Sequence, residues 1–564
     1  MQNNQNKAIA EQAALERILN VYFRENNLYH MAPKNDDWEI QLNNKETLTG
    51  RFLYWSMMGH HVYHEQLFIR EEETTSLIST QQAFERLLSL FEGEGDHLSV
   101  QRLYEDIQNS IARTAHYLTT KENARTIDRY IQSEQSLYLG HPFHPTPKSS
   151  KGFTAEDLNR YAPECHTHFQ LHYLSVADTL VLARDVEGLT KTVTSTLHQL
   201  AAIEKDALPK GHTLIALHPY QMRQLQAQPT FKDKLDRGLI QDLGQRGRWV
   251  YPTSSVRTVF EKERNVYLKL PIHVKITNFV RTNNFEQIER TLDAANVIAH
   301  VKNDIETPSF KLMFEQGYRA IQLENVSTDV DWVTETAMIV REGLVDYGKD
   351  KDIHVLASLL ETMPNQTQSL LQLRVQQSGL AVDVWLQRYL DVMIQPMISL
   401  FATRGISLEG HVQNTLIQFE SGIPKVCYVR DLEGICLSET IAREAQLIPH
   451  VVAHESPVVE THDVAWQRFK YYVIVNHLGH LVSTLGKATR KEGMLWQVVR
   501  SQLQTWTTDK VMQRYVDDLL QSATFSAKAN FMSKINNCSE TPIYTNIPNP
   551  IYLKEEAMQH DATN

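Results

Sequence analysis

Between residues 9 and 23 the apolar side chains Ile9, Ala13, Leu15, Ile18, Leu19, Tyr22 and Phe23 recur at the three- and four-residue spacing of one helix face, which predicts a helix there. The same period returns in residues 84–91 and 100–118, so the first quarter of the chain is expected to be mixed with much helix. In GHPFHPTPKSSKG, residues 140–152, three prolines and two glycines forbid a continuous helix or a central strand, and a loop is expected. The pattern then shifts to period two. Residues 213–217 are expected to form a strand, and in VYLKLPIHVKITNFVR, residues 266–281, Val266, Leu268, Leu270, Ile272, Val274 and Ile276 hold every even position. That alternation predicts one strand with a buried face, Pro271 marking an edge or a bulge. A second alternating stretch, residues 406–416, leads to Ser421-Gly422 and residues 425–431, the pattern of a long hairpin. Helical spacing covers residues 383–401 and 466–486.

A chain of 564 residues exceeds what one hydrophobic core serves, so three subdomains are expected: 1–135, 136–335 and 336–564. The formal net charge of -11 disfavours nucleic acid as a partner. Cys165, Cys427, Cys436 and Cys538 are widely spaced with no CxxC pair, which fits a reducing compartment. Without a signal-like start or an apolar run of about 20 residues, a soluble cytoplasmic protein with no membrane partner is expected.

On the odd positions of the middle strand stand Lys269, His273, Lys275, Thr277 and Arg281, a cationic face suited to the oxygens of a phosphate chain or a carboxylate. A solvated strand face is the alternative. Just upstream, YPTSSVRTV sets Ser254, Ser255 and a third hydroxyl around Arg257, which reads either as an ordinary turn or, beside the cationic strand, as one wall of an anion site. Within residues 406–416, Glu409, His411 and Gln413 share the face opposite Ile406, Leu408 and Val412. A fold-back at Ser421-Gly422 would return Arg430 and Asp431 beside them. Glu409, Gln413, Asn414 and Asp431 are hard oxygen ligands of the kind Mg²⁺ takes together with phosphates; a polar surface hairpin is the competing account. Lys148 in the proline-stiffened loop can reach a phosphate as a point charge, or be a plain solvated lysine. His166, His168 and His172 offer a rival, a metal-dependent hydrolase, if the last two share a helix face, but the Glu of H-E-x-x-H is missing. A non-catalytic nucleotide- or carboxylate-binding protein is a third possibility.

Taken in order, GHPFHPTPKSSKGF, YAPE, HPYQ, YPTSSVRTV, KLPIHVKITNFVRTN, LEGHVQN and YVRDLEG resemble the IucA/IucC-type siderophore synthetases that act independently of nonribosomal peptide synthetases. The resemblance implies an α+β fold of antiparallel sheets and surrounding helices shaped as a cupped hand of thumb, fingers and palm, assembled as a homodimer. It implies a ligase that adenylates a carboxylic acid with ATP and Mg²⁺ and passes the acyl group to an amine, releasing AMP and pyrophosphate. Its nucleotide-site residues fall on Lys148, Ser254, Ser255, Arg257, Thr277, Arg281, Glu409, His411, Gln413, Asn414 and Asp431. Lys148, Arg281 and His411 would be catalytic, and Glu409 and Asp431 would hold the metal. The texture of the whole chain is most similar to the type B members of staphyloferrin B assembly, which implies α-ketoglutarate as the acid and a citryl-containing amine as the nucleophile; a citrate-specific member is the alternative. Many members carry Arg where this chain has Ser150, followed here by Lys151.

Overall fold

A computed structural model describes residues 2–90, 97–121, 128–189, 192–277, 279–323, 330–364, 366, 368–536, 538, 541 and 543–552. The fold is α+β, and its sheets are built almost wholly from antiparallel pairs. The centrepiece is an eight-stranded sheet that runs, edge to edge, through Val181–Asp185, Glu315–Ile321, Met338–Glu342, Val266–Lys269, Thr258–Glu261, Ile240–Pro252, Phe169–Ala177 and His212–Leu217. Before it in sequence, the helix Gln2–Glu25 buries Leu15, Ile18, Leu19 and Phe23 against the helices Thr80–Ser89 and His97–Thr120 and a five-stranded sheet. After it, the helices from Val382 onward surround a four-stranded sheet in the largest core. The cores interlock: Phe531 and Ile535 pack in the N-terminal one, and Met58 packs in the C-terminal one.

The helices expected at residues 9–23 and 100–118 form as Gln2–Glu25 and His97–Thr120. That at 84–91 forms as Thr80–Ser89, residue 91 lying outside the described residues. Two expected strands are cut. The alternation from Val266 runs over two elements: Val266–Lys269 belongs to the large sheet, while Ile272–Ile276 pairs with Ser150–Lys151 and Phe279–Arg281 in a separate three-stranded sheet. The transfer falls at Leu270-Pro271, where proline lacks the N–H to continue the ladder. Both faces of the first segment are covered, so Lys269, expected on an open face, is only 1% exposed, whereas His273 and Lys275 are exposed.

The strand expected over 406–416 survives only as Ile406–Ser407 and, from Thr415, as Thr415–Glu420. Between them the backbone turns: the Asn414 and Thr415 N–H groups donate to the His411 carbonyl at 3.0 and 3.1 Å, and the Gln413 N–H donates to His411 Nδ1 at 3.2 Å. Beyond it the hairpin forms as expected, Ser421 and Gly422 both adopting positive φ (51° and 80°) in the two-residue turn between Thr415–Glu420 and Ile423–Val429. His168 and His172 do not share a helix, because Phe169–Ala177 is a strand; His168 packs on Trp249 and His172 Nε2 meets Asp242 at 2.5 Å. The shared helix face on which the hydrolase alternative rested is therefore not formed, and among the described residues no group of three His, Cys, Asp or Glu side chains is gathered for a metal.

Candidate active site

A cavity of about 1300 Å³ opens between the large sheet, the proline-rich loop and the C-terminal helices, and all eleven residues expected at a nucleotide site line it. That volume exceeds the roughly 300–1,000 Å³ usual for one ligand.

On the sheet side, the turn between Ile240–Pro252 and Thr258–Glu261 presents Ser254, Ser255 and Arg257. Its shape is held by the Ser254 N–H donating to Glu134 at 3.1 Å and the Thr258 N–H donating to Ser255 Oγ at 3.2 Å. Arg257 donates to the Thr282 carbonyl and to Asn283 Oδ1, each at 2.7 Å. That anchor is rigid because a capping box follows at once: the Gln287 N–H donates to the Asn284 side chain and the Asn284 N–H to that of Gln287, starting the helix Phe285–Ile305. Thr277 sits at φ 58°, its N–H donating to the Ser149 carbonyl at 3.2 Å, which joins the cationic segment to the proline-rich loop. Arg281 donates to Thr277 Oγ1 at 3.1 Å and to the Ile276 carbonyl at 3.3 Å. Burial, then the neighbouring Arg257, push its guanidinium down to about 10.

Beneath these groups lies a buried ion network. Lys269 Nζ is 2.7 Å from both Asp431 and Glu433, and Arg341 bridges Asp431 at 3.2 Å and Glu315 at 2.8 Å. Burial opposes ionisation of Asp431, yet Lys269 and Arg341 override it and hold the carboxyl well below its usual range. Arg430 forms a two-point pair with Glu134, one contact at 3.1 Å, and also donates to the Gln413 carbonyl at 3.1 Å. Asp431, expected with Glu409 at the metal, is thus already engaged by two cations. Glu409 has no Lys or Arg within ion-pair distance among the described residues; the imidazole of His411 lies 3.7 Å away. Its carboxylate lies against Gly434, where any β-carbon would collide with it. Glu409 therefore fits Mg²⁺ as an oxygen ligand completed by phosphates, while Asp431 fits the role less well.

His411 is depressed by burial against the opposing pull of Glu409 and Asp431, so the imidazole is neutral near pH 7. Because its Nδ1 accepts the Gln413 N–H, the proton is assigned to Nε2, which faces Glu409. Gln413 donates to the Ser254 carbonyl at 3.1 Å, so the turn after Ser407 and the turn after Pro252 are locked together. Lys148 is paired with the buried Glu164 at 2.5 Å. Lys151 stands 2.7 Å from Asp106, which also holds Lys534 at 2.8 Å. The lysine after Ser150 is thus paired with a carboxylate of the helix His97–Thr120.

Lys528 was not anticipated from the sequence. It extends from the strand Thr524–Lys528, donates to the Tyr472 hydroxyl at 3.2 Å and lies over the Tyr471 and Tyr472 rings at 5.4 and 5.2 Å. Burial lowers its pKa, partly offset by Glu409, and no carboxylate pairs with it among the described residues. Arg468 lies alongside, donating to the Gly434 carbonyl at 3.1 Å. The tyrosines come from a π-helical stretch, Lys470–Leu478, with no recognisable sequence signature. A lone lysine on an amphipathic strand gives none either.

The profile of the IucA / IucC family matches residues 129–361, and that of the ferric iron reductase FhuF-like transporters matches residues 383–543. Among the described residues no helix is long and apolar enough to cross a membrane. The chain is 54% identical, over all of its length and all of the relative's, to an L-2,3-diaminopropanoate–citrate ligase of Staphylococcus aureus. It is 23% identical to a spermidine–citrate ligase of Bacillus anthracis, over 98% of this chain and 99% of that one. The fold superposes on an ATP-bound aerobactin synthetase, IucA, from Klebsiella pneumoniae with a TM-score of 0.85 at 23% identity, covering 96% and 99% of the two chains. These matches place the molecule in the class of carboxylate–amine ligases. The chain belongs to the IucA/IucC family of siderophore synthetases.

Proposed function

We propose that the enzyme uses ATP to activate a carboxylate of citrate and joins it to an amine of a diamino acid, forming one amide of a siderophore of the staphyloferrin B kind. The observation that carries this is the full-length, 54% identity to a ligase named for citrate and L-2,3-diaminopropanoate. Citrate replaces the α-ketoglutarate expected from sequence texture, since both ligases compared above name citrate. The chemistry of the cavity is in keeping: a tricarboxylate calls for several uncommitted cations, and Arg281 and Lys528 are such groups, both lining the space around His411.

In the first half-reaction a citrate carboxylate oxygen attacks the α-phosphorus of ATP, and the bond to pyrophosphate breaks. In the second, the amine nitrogen attacks the acyl carbon, loses a proton and displaces AMP. Ser254, Ser255, Thr277 and Arg257 orient phosphate oxygens, and Lys148 turns from Glu164 to meet them. Arg281 and the Nε2–H of His411 donate to the oxygens on which charge builds, where preorganised donors count most. Mg²⁺, held by Glu409 with the phosphates, would offset the charge of the leaving pyrophosphate. The homodimer and the cytoplasmic setting expected from the sequence belong to the same proposal.

Pyrophosphate exchange into ATP tests the acid. Exchange is expected with citrate and not with α-ketoglutarate, and AMP release is expected to require L-2,3-diaminopropanoate as well. A preference for α-ketoglutarate in that assay would overturn the assignment.

A further inference from the structure

Beside the proline-rich loop, a second cluster of polar groups in the cavity is unexplained by adenylation. Arg17, on the helix Gln2–Glu25, is 7% exposed and lines the cavity; its Nη atoms donate to the Ala13 carbonyl at 2.9 Å and to the Gly140 carbonyl at 3.5 Å. The imidazoles of His60 and His480 stack beside it with ring centres 4.6 Å apart and an interplanar angle of 17°. Arg17 Nε, His60 Nε2 and His480 Nδ1 are all buried without a protein hydrogen-bond partner among the described residues. Buried polar atoms are nearly always paired, and these three side chains all line the cavity, so the group retains unused hydrogen-bonding capacity beside it.

The charge of the cluster selects the ligand. Arg17, Lys487 and Glu16 all line the cavity, as does Glu361, whose carboxylate already takes the N–H groups of Tyr138, Leu139 and Gly140. Burial raises the Glu16 carboxyl against the opposing pull of Lys487 and Arg17. Burial, then Arg17 and Arg24, push His480 down to about 3, so its ring is a neutral hydrogen-bonding group. An arginine edge flanked by imidazoles suits a carboxylate. His141 also lines the cavity, its imidazole depressed by burial, then by His144, His411 and His480.

We propose that Arg17, with His60 and His480, binds the α-carboxylate of the amino-acid acceptor, leaving its amine directed past His141 toward the acyl carbon near His411. This rests on the ligase reading above and deepens it: the residues make the enzyme select an α-amino acid over a plain diamine.

The test compares L-2,3-diaminopropanoate with ethylenediamine, which keeps both amines and lacks the carboxylate, as acceptors in citrate-dependent AMP release. The wild type favours the amino acid. Arg17→Met raises the KM for the amino acid about 10-fold or more, the loss expected for a hydrogen bond to a charged group, with little change in kcat and none in the constants for ethylenediamine. His60→Gln, which keeps a polar side chain, shifts the same KM in the same direction by less and serves if Arg17→Met fails to fold. Equal use of the two acceptors by the wild type, or an equal change for both in the variants, would overturn the proposal. Absence of citrate-dependent exchange in the wild type would instead remove the parent reading. Calorimetric titration of the enzyme with L-2,3-diaminopropanoate then still decides the subsite, weaker binding to Arg17→Met supporting it and equal binding refuting it.

Discussion

Two sets of cations face the same cavity and differ in what they are bound to. Lys269, Arg341 and Arg430 are matched by Asp431, Glu433, Glu315 and Glu134, whereas among the described residues Arg281 and Lys528 have no carboxylate in an ion pair, Arg281 meeting a hydroxyl and a carbonyl and Lys528 a hydroxyl and two aromatic rings. Positive charge alone therefore does not mark a substrate contact. The matched set fixes the walls; under the proposed function the unmatched set is the one that meets an incoming anion. Removing one member of a buried pair strands the other, whereas removing an unmatched cation relieves like-charge repulsion and costs chemistry instead.

The largest effect is expected from breaking the matched set. Arg430→Met leaves Glu134 unpaired in the interior and loosens the Ser254 turn, and should cost about 3–5 kcal/mol of stability, read as a lower midpoint in urea. An unchanged midpoint would erase the distinction. Next, Arg281→Ala should lower citrate-dependent exchange by about 10²–10³-fold, the usual cost of one transition-state donor, with the urea midpoint preserved. Comparable instability in both variants would show that the two sets do the same job.

The smallest effect concerns a carboxylate that belongs to neither set. Glu25 accepts the N–H groups of Phe531 and Met532 at 2.8 and 2.9 Å, and burial raises it from 4.5 to about 7 despite those bonds and Arg24. The native state thus binds this proton more tightly than the unfolded one. The stability it gives is present below pH 4.5 and is lost as pH rises through about 7, amounting to about 3 kcal/mol at most. Glu25→Gln should flatten the fall in stability between pH 5 and 8. An unaltered slope of the urea midpoint against pH would count against the shift.

Much of this was written in local spacing. The N-terminal and C-terminal helices, the proline-rich loop and the Ser421-Gly422 turn follow from periodicity and turn chemistry, and the eleven expected residues do line one cavity. The break at Leu270-Pro271 was hidden because the apolar alternation continues unbroken while the chain changes sheets. The turn at residues 408–414 was hidden because alternating polarity looks the same in a strand and in a loop whose polar groups face a ligand. Pairings such as Arg430 with Glu134, 296 residues apart, have no local trace. Lys528 and Arg17 carry none, since an isolated cation in an amphipathic element reads as solvated surface.

The knot at Asp106 ties a helix near the start of the chain to Lys151 of the phosphate-side loop and to Lys534 near its end, and Lys534 also donates to Thr146 at 2.9 Å. During translation, then, the loop that carries Lys148 lacks its last clamp until the ribosome has delivered residue 534. Thr146 and Lys534 lie 388 residues apart, so this loop is set only after distant parts of the chain have met.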